Sequence, residues 1–476
     1  MKKIHLTVIV LFSILLIGSA SYGLLYMYVN QPALPKNVHV GGMLVEGNRK
    51  NVLHELNEQI QKLEDWPVTF EVAEPDPQTM TYTADQVGVS YNVKSVESAI
   101  QQLEEGNLWE RAYARYHFPK EFSLNMSYDL EPLKEHLSPA WEKETFGTPA
   151  NAVRRITASD KVQYIPEKGV RRIDWKTLAS LIQTKLHRDF SVLSPNEKPA
   201  PLLIQVPLYT LKPEVTLDSL RQEGIDRKII QFSTGLGNSS EGRIHNVSAA
   251  AEAINGMILP PNATFDYEKV IRKAEKDYGF REAPVIVNGR LTPGIGGGIC
   301  QVSSTVYNAA LLTGLDIIER RNHSLPVKYL PKGLDATFAS GAINFRFKNN
   351  TGKSLLIHAE VKNHQLMVKF FGTFPENVSY ALESRTIETL SVPVKYVSSA
   401  VLPDGAQQVL QDGQPGYIVE TVRTKRLDGK VVESKTITRD TYKAQNRLIA
   451  RSGHSSLPDP QEPSVVEDGI SDTKQP

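Results

Sequence analysis

The apolar run from Ile4 to Val29, in which His5 is the one ionisable residue, constrains this chain before anything else does. A stretch of roughly 20 apolar residues spans a bilayer as a helix, because a helix satisfies its own backbone polar groups in hydrocarbon. Lys2 and Lys3 sit on the short N-terminal side, so the positive-inside bias places everything beyond residue 30 outside the membrane. Gly18-Ser19-Ala20 looks like a small-residue cleavage site, and a cleaved signal peptide therefore competes with a retained anchor. The run continues unbroken through Leu24-Leu25-Tyr26-Met27-Tyr28-Val29, which favours the anchor. The expected location is the cell membrane, single-pass, with the bulk of the chain outside, as suits a disulfide-free chain exported into a bacterial envelope.

The remaining length exceeds one hydrophobic core, and several domains are expected from 476 residues. With 54 Lys+Arg against 53 Asp+Glu there is no global field to attract nucleic acid, which is excluded as an expected partner. After the membrane segment, Leu53, Leu56, Ile60 and Leu63 recur at helical spacing, and Val68 to Val72 alternates like a strand, so this part reads as small α+β modules. A weak repeat joins Gly88-Val89 with Asn92 and a following helix to Gly169-Val170 with Asp174 and another, Asn92 and Asp174 being the expected N-caps. Pro195, Pro199, Pro201, Pro207 and Pro213 mark either a linker or an edge-strand boundary.

The only cysteine, Cys300, follows Gly296-Gly297-Gly298 at the predicted start of a helix. Unpaired N–H groups and the positive end of the helix dipole would stabilise a thiolate there. Ile299, Val302, Val306, Ala309 and Ala310 fall on one face, and Cys300, Ser304, Tyr307 and Asn308 on another, so the thiol is predicted to face a polar cleft. The competing reading is a small buried hydrophobe, since free cysteines are among the most buried residue types. If the thiol is a nucleophile, the Cys300 and Gln301 amides, or the Gln301 side chain, are the expected donors to an oxyanion, and glycines up to Gly298 permit close approach.

Several motifs in order carry a resemblance: Phe232-Ser233-Thr234, Arg243 with Asn246, Pro260-Pro261-Asn262-Ala263-Thr264-Phe265, Gly296 through Thr305, Arg321-Asn322-His323-Ser324 and Asp335-Ala336-Thr337. On these, residues 219–373 resemble the VanW family. Where that family often has an aspartate before its Phe-Arg-Phe strand, this chain has Asn344. The preceding 31–218, through Leu34 to Gly42 and Asn151-Ala152-Val153, resembles peptidoglycan-binding modules that precede L,D-transpeptidase domains in Gram-positive wall proteins. Residues 374–453 read as strands separated by glycine turns and resemble glycine-motif modules proposed to bind N-acetylglucosamine polymers. Residues 454–476, polar and proline-bearing, are expected to be disordered.

The resemblance implies a peptidoglycan L,D-transpeptidase, in a family once regarded as an accessory of glycopeptide resistance. Cys300 would attack the L,D amide of a stem peptide and pass the acyl group to an acceptor amine through a thioester. His323, one of eleven histidines, is then the base, or else an ordinary loop histidine. Asp335 orients it, or else caps a turn. Arg243 and Arg321 grip a carboxylate, or else form surface salt bridges; Ser304 supports the site by hydrogen bonding. No cofactor or metal is expected, because neither H-E-x-x-H nor paired cysteines occur. There is no G-x-S-x-G elbow, and the sole S-x-x-K, Ser471 to Lys474, lies in the polar tail. The Ser-His-Gly-Cys-Arg signature of the better-known L,D-transpeptidases is missing too. Alternatives are a non-catalytic wall-binding scaffold and a cysteine-dependent carboxypeptidase. The expected fold is multidomain α+β: a transmembrane helix (1–30), α+β wall-binding modules (31–218), an α+β domain (219–373) whose cysteine helix packs on a sheet built from 343–347, 354–358 and 366–370, a small all-β module (374–453) and the tail (454–476). Expected partners are peptidoglycan stem peptides and glycan, with the membrane.

Overall fold

The computed structural model describes residues 2–193, 199–287, 290–452, 466–467 and 469. The chain is a multidomain α+β protein that divides into two compact units, Met1–Ala150 with Lys168–Pro213, and Asn151–Glu167 with Glu214–Pro476. The apolar run is one helix, Lys2–Val29, whose stretch Lys3–Val29 has mean hydropathy 2.3 and is long and apolar enough to cross a membrane.

In the first unit, the helix Arg49–Glu64 is capped by the Asn48 side chain and buries Val52, Leu56, Ile60 and Leu63. The helical stripe thus runs one residue off at its start, with Leu53 only partly buried. The strand Pro67–Val72 pairs antiparallel with Gln78–Thr83 and parallel with Leu202–Gln205. Both halves of the weak repeat are strand then helix, Val89–Asn92 to Lys94–Gln102 and Val170–Ile173 to Trp175–Lys185. Asp174 caps its helix by accepting from the Thr177 N–H at 3.1 Å. Asn92 does not: Val93 holds the cap position without a side-chain bond. The proline-rich stretch is no linker, because Leu202–Gln205 and Leu208–Leu211 are strands at sheet edges, where proline costs no ladder bond.

The second unit is organised by a four-stranded antiparallel sheet in the order Arg227–Gly235, Gln365–Gly372, Leu355–Lys362, Met257–Leu259. The cysteine helix, Ile299–Leu312, packs on the first two strands. Two of the three expected strands share this sheet. The third, Arg346–Lys348, pairs instead with Thr264–Asp266 and Asp316–Glu319 in a separate sheet. Asn349 follows the third strand, and the two N–H groups of its buried Nδ2 are shared among the carbonyls of Leu259, Pro260 and Lys353, tying off the turn before Leu355–Lys362.

Beyond it lie two three-stranded β sheets, one of Val378–Leu390, Gly416–Leu427 and Lys430–Tyr442, the other of Val394–Ser399, Arg447–Ser452 and Gln407–Gln411. The tail is not wholly without structure. Val466 and Glu467 pair antiparallel with Val287 and Ile286, and Gly469 bridges Ala339. Ser471 and Lys474 lie outside the described residues.

Candidate functional site

The cysteine helix begins where the sequence places it, and the start is held by a ring of buried polar groups. Gly298 is its N-cap with φ +110°. A Cβ there would lie 2.9 Å from Arg243 Cγ and 3.0 Å from Val247 Cγ2, so glycine is required both for the dihedral and for the approach of the neighbouring helix. Asn246, fully buried on the helix Glu241–Ile254, donates to Gly297 O at 3.0 Å and to Arg281 O, and accepts from the Arg281 N–H. The Tyr267 hydroxyl donates to Ile299 O at 2.6 Å, and Thr234 and Thr305 hydroxyls meet at 2.9 Å.

Gln301 belongs to this scaffold. Its backbone N–H returns to Gly298 O at 3.0 Å. Its Nε2 donates to Thr234 Oγ1 and Gly235 O, and its Oε1 accepts from Arg243 Nη2 at 3.1 Å. The expectation that Gln301 donates to an oxyanion is therefore corrected: its backbone N–H is committed to a turn and both amide protons to the adjacent strand.

The opposite side of the helix departs from expectation as well. Every residue from Ile299 to Leu311 is buried, so Cys300 faces no open cleft. The polar face is zipped to the extended segment 334–338. Asn308 Nδ2 donates to Leu334 O at 2.7 Å, Ser303 Oγ to Ala336 O at 2.6 Å, and Ser304 Oγ accepts from the Ala336 N–H at 2.9 Å. Cys300 completes the series, with Sγ 3.1 Å from the Phe338 nitrogen and 3.3 Å from its carbonyl oxygen. One residue thus offers an acceptor to the thiol and a donor to the thiolate, through the peptide groups on either side of its Cα. Satisfaction by a facing backbone replaces satisfaction by water.

Asp335 sits in the same segment, fully buried. Its Oδ2 accepts from the His323 backbone N–H at 2.7 Å and lies 2.6 Å from His323 Nδ1. Its Oδ1 accepts from the Tyr442 hydroxyl and lies 3.5 Å from Arg320 Nη2. Burial opposes the carboxylate charge, but the hydrogen bond and charge of His323, with the charge of Arg320, hold the Asp335 carboxyl down at about 2. An ionised Asp335 accepts at Oδ2, so the Nδ1 that faces it carries a proton, and the Nε2 of the same ring is buried as well. Cys300, Ser304 and His323 thus all bond to the segment 334–338, which carries Asp335.

The arginines do not converge. Arg243 is half-buried against Gln301 on the glycine-turn side, whereas Arg321 is exposed and contributes its carbonyl to Thr337 N–H at 2.8 Å. The buried guanidinium belongs to the neighbour, Arg320, which donates to Asp335 O at 2.6 Å and to Asp440 Oδ1 at 2.5 Å. Sequence reasoning passed over Arg320, Asp440 and Tyr442. The signal available was a pair of polar residues at i and i+2, Asp440 and Tyr442, sharing one face of a strand. Asn344 is structural: it accepts from the Glu268 and Phe345 N–H groups and donates to Asp266 Oδ1 at 2.8 Å, a contact that an aspartate would turn into a repulsion. Among the described residues no group of three or more His, Cys, Asp or Glu is arranged to hold a metal. A cavity of about 380 Å³ lies behind the helix rather than at the thiol, lined in part by Tyr307, Leu315, Glu319, Arg320, Arg423 and Lys435.

Comparison with known proteins matches residues 242–371 to the family model described as VanW like protein, and 383–453 to the G5 domain. The chain is 31% identical over 232 residues to the uncharacterized protein YoaR of Bacillus subtilis, covering 49% of this chain and 72% of that one. It is 30% identical over 155 residues to the vancomycin B-type resistance protein VanW of Enterococcus faecalis, covering 31% of this chain and 56% of that one. Among solved structures, the G5 domain of an IgA1 protease is similar at 20% identity and TM-score 0.14, over 16% of this chain and 89% of that one. The HP0197 G5 structure is similar at 26% identity and TM-score 0.12, over 15% and 96%.

Proposed function

We propose that this chain, which belongs to the VanW family and carries a C-terminal G5 domain, is a membrane-anchored, wall-associated acyltransferase that exchanges stem-peptide amides of peptidoglycan through Cys300. The observation that carries the reading is the shared segment. Phe338 holds the Cys300 sulfur at 3.1 Å, and three residues earlier Asp335 holds His323 Nδ1 at 2.6 Å.

His323 Nε2 takes the thiol proton and Cys300 Sγ attacks the carbonyl carbon of the L,D amide. The positive end of the cysteine helix and the Phe338 N–H favour the thiolate. Collapse of the tetrahedral adduct breaks the C–N bond, and the histidine returns its proton to the departing D-amino acid amine, leaving a thioester. An acceptor amine then attacks that carbonyl, gives its proton to His323 and expels the Cys300 thiolate. Water in place of the amine gives a carboxypeptidase. The apolar helix Lys2–Val29 supplies the anchor, the G5 domain and the first unit supply contact with wall polymers, and the vancomycin-resistance relative is consistent with such a place of action.

A second reading is favoured by one observation: Cys300 is 0% exposed. In it the thiol is structural and the protein is a wall-binding scaffold. The deciding experiment incubates the full-length protein in detergent, as wild type and as Cys300→Ala, with tetrapeptide-rich peptidoglycan, and reads muropeptides by mass spectrometry. New 3-3 cross-linked dimers made only by the wild type are expected. Shortened stems alone would indicate hydrolysis, and identical muropeptides from two folded, wall-binding proteins would select the scaffold.

A further inference from the structure

We infer that the C-terminal β domain is part of the catalytic apparatus, and that Tyr442 is a positioning residue acting through Asp335 on His323; this rests on the reading of Cys300 and His323 as the reacting pair. Tyr442 ends the strand Lys430–Tyr442, outside residues 242–371 that match the VanW model. It is nevertheless fully buried, with its hydroxyl in the middle of the acid's environment. That hydroxyl accepts from the Gly333 N–H at 2.6 Å and spends its one proton on Asp335 Oδ1. The carboxylate is thereby divided, one oxygen for His323 and the other for Tyr442, and it cannot rotate without losing both. Burial and the charge of Asp335 push the Tyr442 hydroxyl far above its ordinary range, so it keeps its proton and donates it to Asp335 while its oxygen accepts from Gly333.

Other contacts join the same two domains without a hydrogen bond to the Asp335 carboxylate or the His323 ring. Thr421 Oγ1 donates to Gly333 O at 2.9 Å, and Asn322 Nδ2 to Thr441 O at 3.1 Å. Gly333 has φ +84°, and a Cβ there would lie 2.5 Å from Thr421 Oγ1 and 3.1 Å from Val419 Cγ1, so the loop that bears Asp335 is shaped to receive the β domain. Arg320 spans the same seam from Asp335 O to Asp440. A domain that served only to tether the protein to glycan would need no hydroxyl buried against the Asp335 carboxylate.

The experiment compares the full-length protein with Tyr442→Phe and Thr421→Val. The first removes only the hydroxyl that touches Asp335, and the second weakens the same seam without touching it. Two signals are read: the downfield proton resonance of the His323 Nδ1–H, assigned with His323→Gln, and the turnover and KM of the muropeptide reaction. In Tyr442→Phe, Asp335 has lost its competing donor, so the His323 proton is expected to move further downfield and kcat to fall about tenfold or more with KM unchanged. Thr421→Val is expected to leave both signals near wild type. If the resonance does not move in Tyr442→Phe, or moves equally in Thr421→Val, the inference is overturned. If it moves in Tyr442→Phe alone while the wild type shows no Cys300-dependent product, the positioning contact stands and the acyltransferase reading falls.

Discussion

Replacing Asp335 with Asn tests the core of this site, because the carboxylate serves four donors and its removal has a computable sign. The carboxyl is held at about 2 against an ordinary 3.8. At roughly 1.4 kcal/mol per unit, the ionised form contributes on the order of 2 kcal/mol to folding. A depressed carboxyl confers that stability above its unfolded value and loses it as pH falls towards the folded one. About half therefore remains near pH 3. The amide of Asn also turns N–H groups towards donors that need an acceptor, which adds about 1–3 kcal/mol at any pH. Asp335→Asn should thus cost about 3–5 kcal/mol at pH 7, and about 1 kcal/mol less at pH 3. The two units can be followed separately. All four tryptophans, Trp66, Trp109, Trp141 and Trp175, lie in the first unit, and the single thiol, Cys300, is buried in the second. Urea unfolding read by thiol release, using a pyridyl disulfide that reacts in acid, should show the midpoint moved while tryptophan fluorescence is unmoved. A gap between the proteins that is equal at pH 7 and pH 3, or one seen only in the tryptophan signal, would refute the reasoning.

Three other outcomes are expected. Gly298→Ala forces a positive φ on a side chain whose Cβ meets Arg243 and Val247, and should cost about 2–4 kcal/mol in the same thiol-release assay. Asn344→Asp sets a carboxylate against Asp266 in place of the 2.8 Å amide bond, and should cost about 1–2 kcal/mol at pH 7, with recovery as the medium is acidified through the carboxylate range, read by thermal melting. Removing residues 454–476 deletes the strand pairing of Val466 and Glu467 and the bridge from Gly469 to Ala339, the residue after Phe338. Alkylation of Cys300 in the folded protein should then become several-fold faster, and an unchanged rate would show that those pairings do not restrain the site.

The sequence exposed the parts of this site that local rules control and hid those set by tertiary contact. Gly296 to Gly298 before Cys300 announces a turn into a helix, because no other residue type takes φ +110° so readily. The helical and strand periods likewise located the cysteine helix and the strands Leu355–Lys362 and Gln365–Gly372. Periodicity assigns a face, however, and says nothing of what covers it. The polar face of the cysteine helix was expected to meet water, yet it meets the backbone of residues 334–338, whose carbonyls and N–H groups satisfy Cys300, Ser303, Ser304 and Asn308 as water would have done. The same limit explains the arginines. Arg320 and Arg321 are equivalent in sequence, and only the position of Asp440 on a strand about 120 residues later makes the first the buried partner. Tyr442 marks the far end of that limit. Spacing sets it on one strand face with Asp440 but does not say what that face meets, since the carboxylate it contacts is carried by a loop of another domain, where Gly333 leaves room for the two to meet.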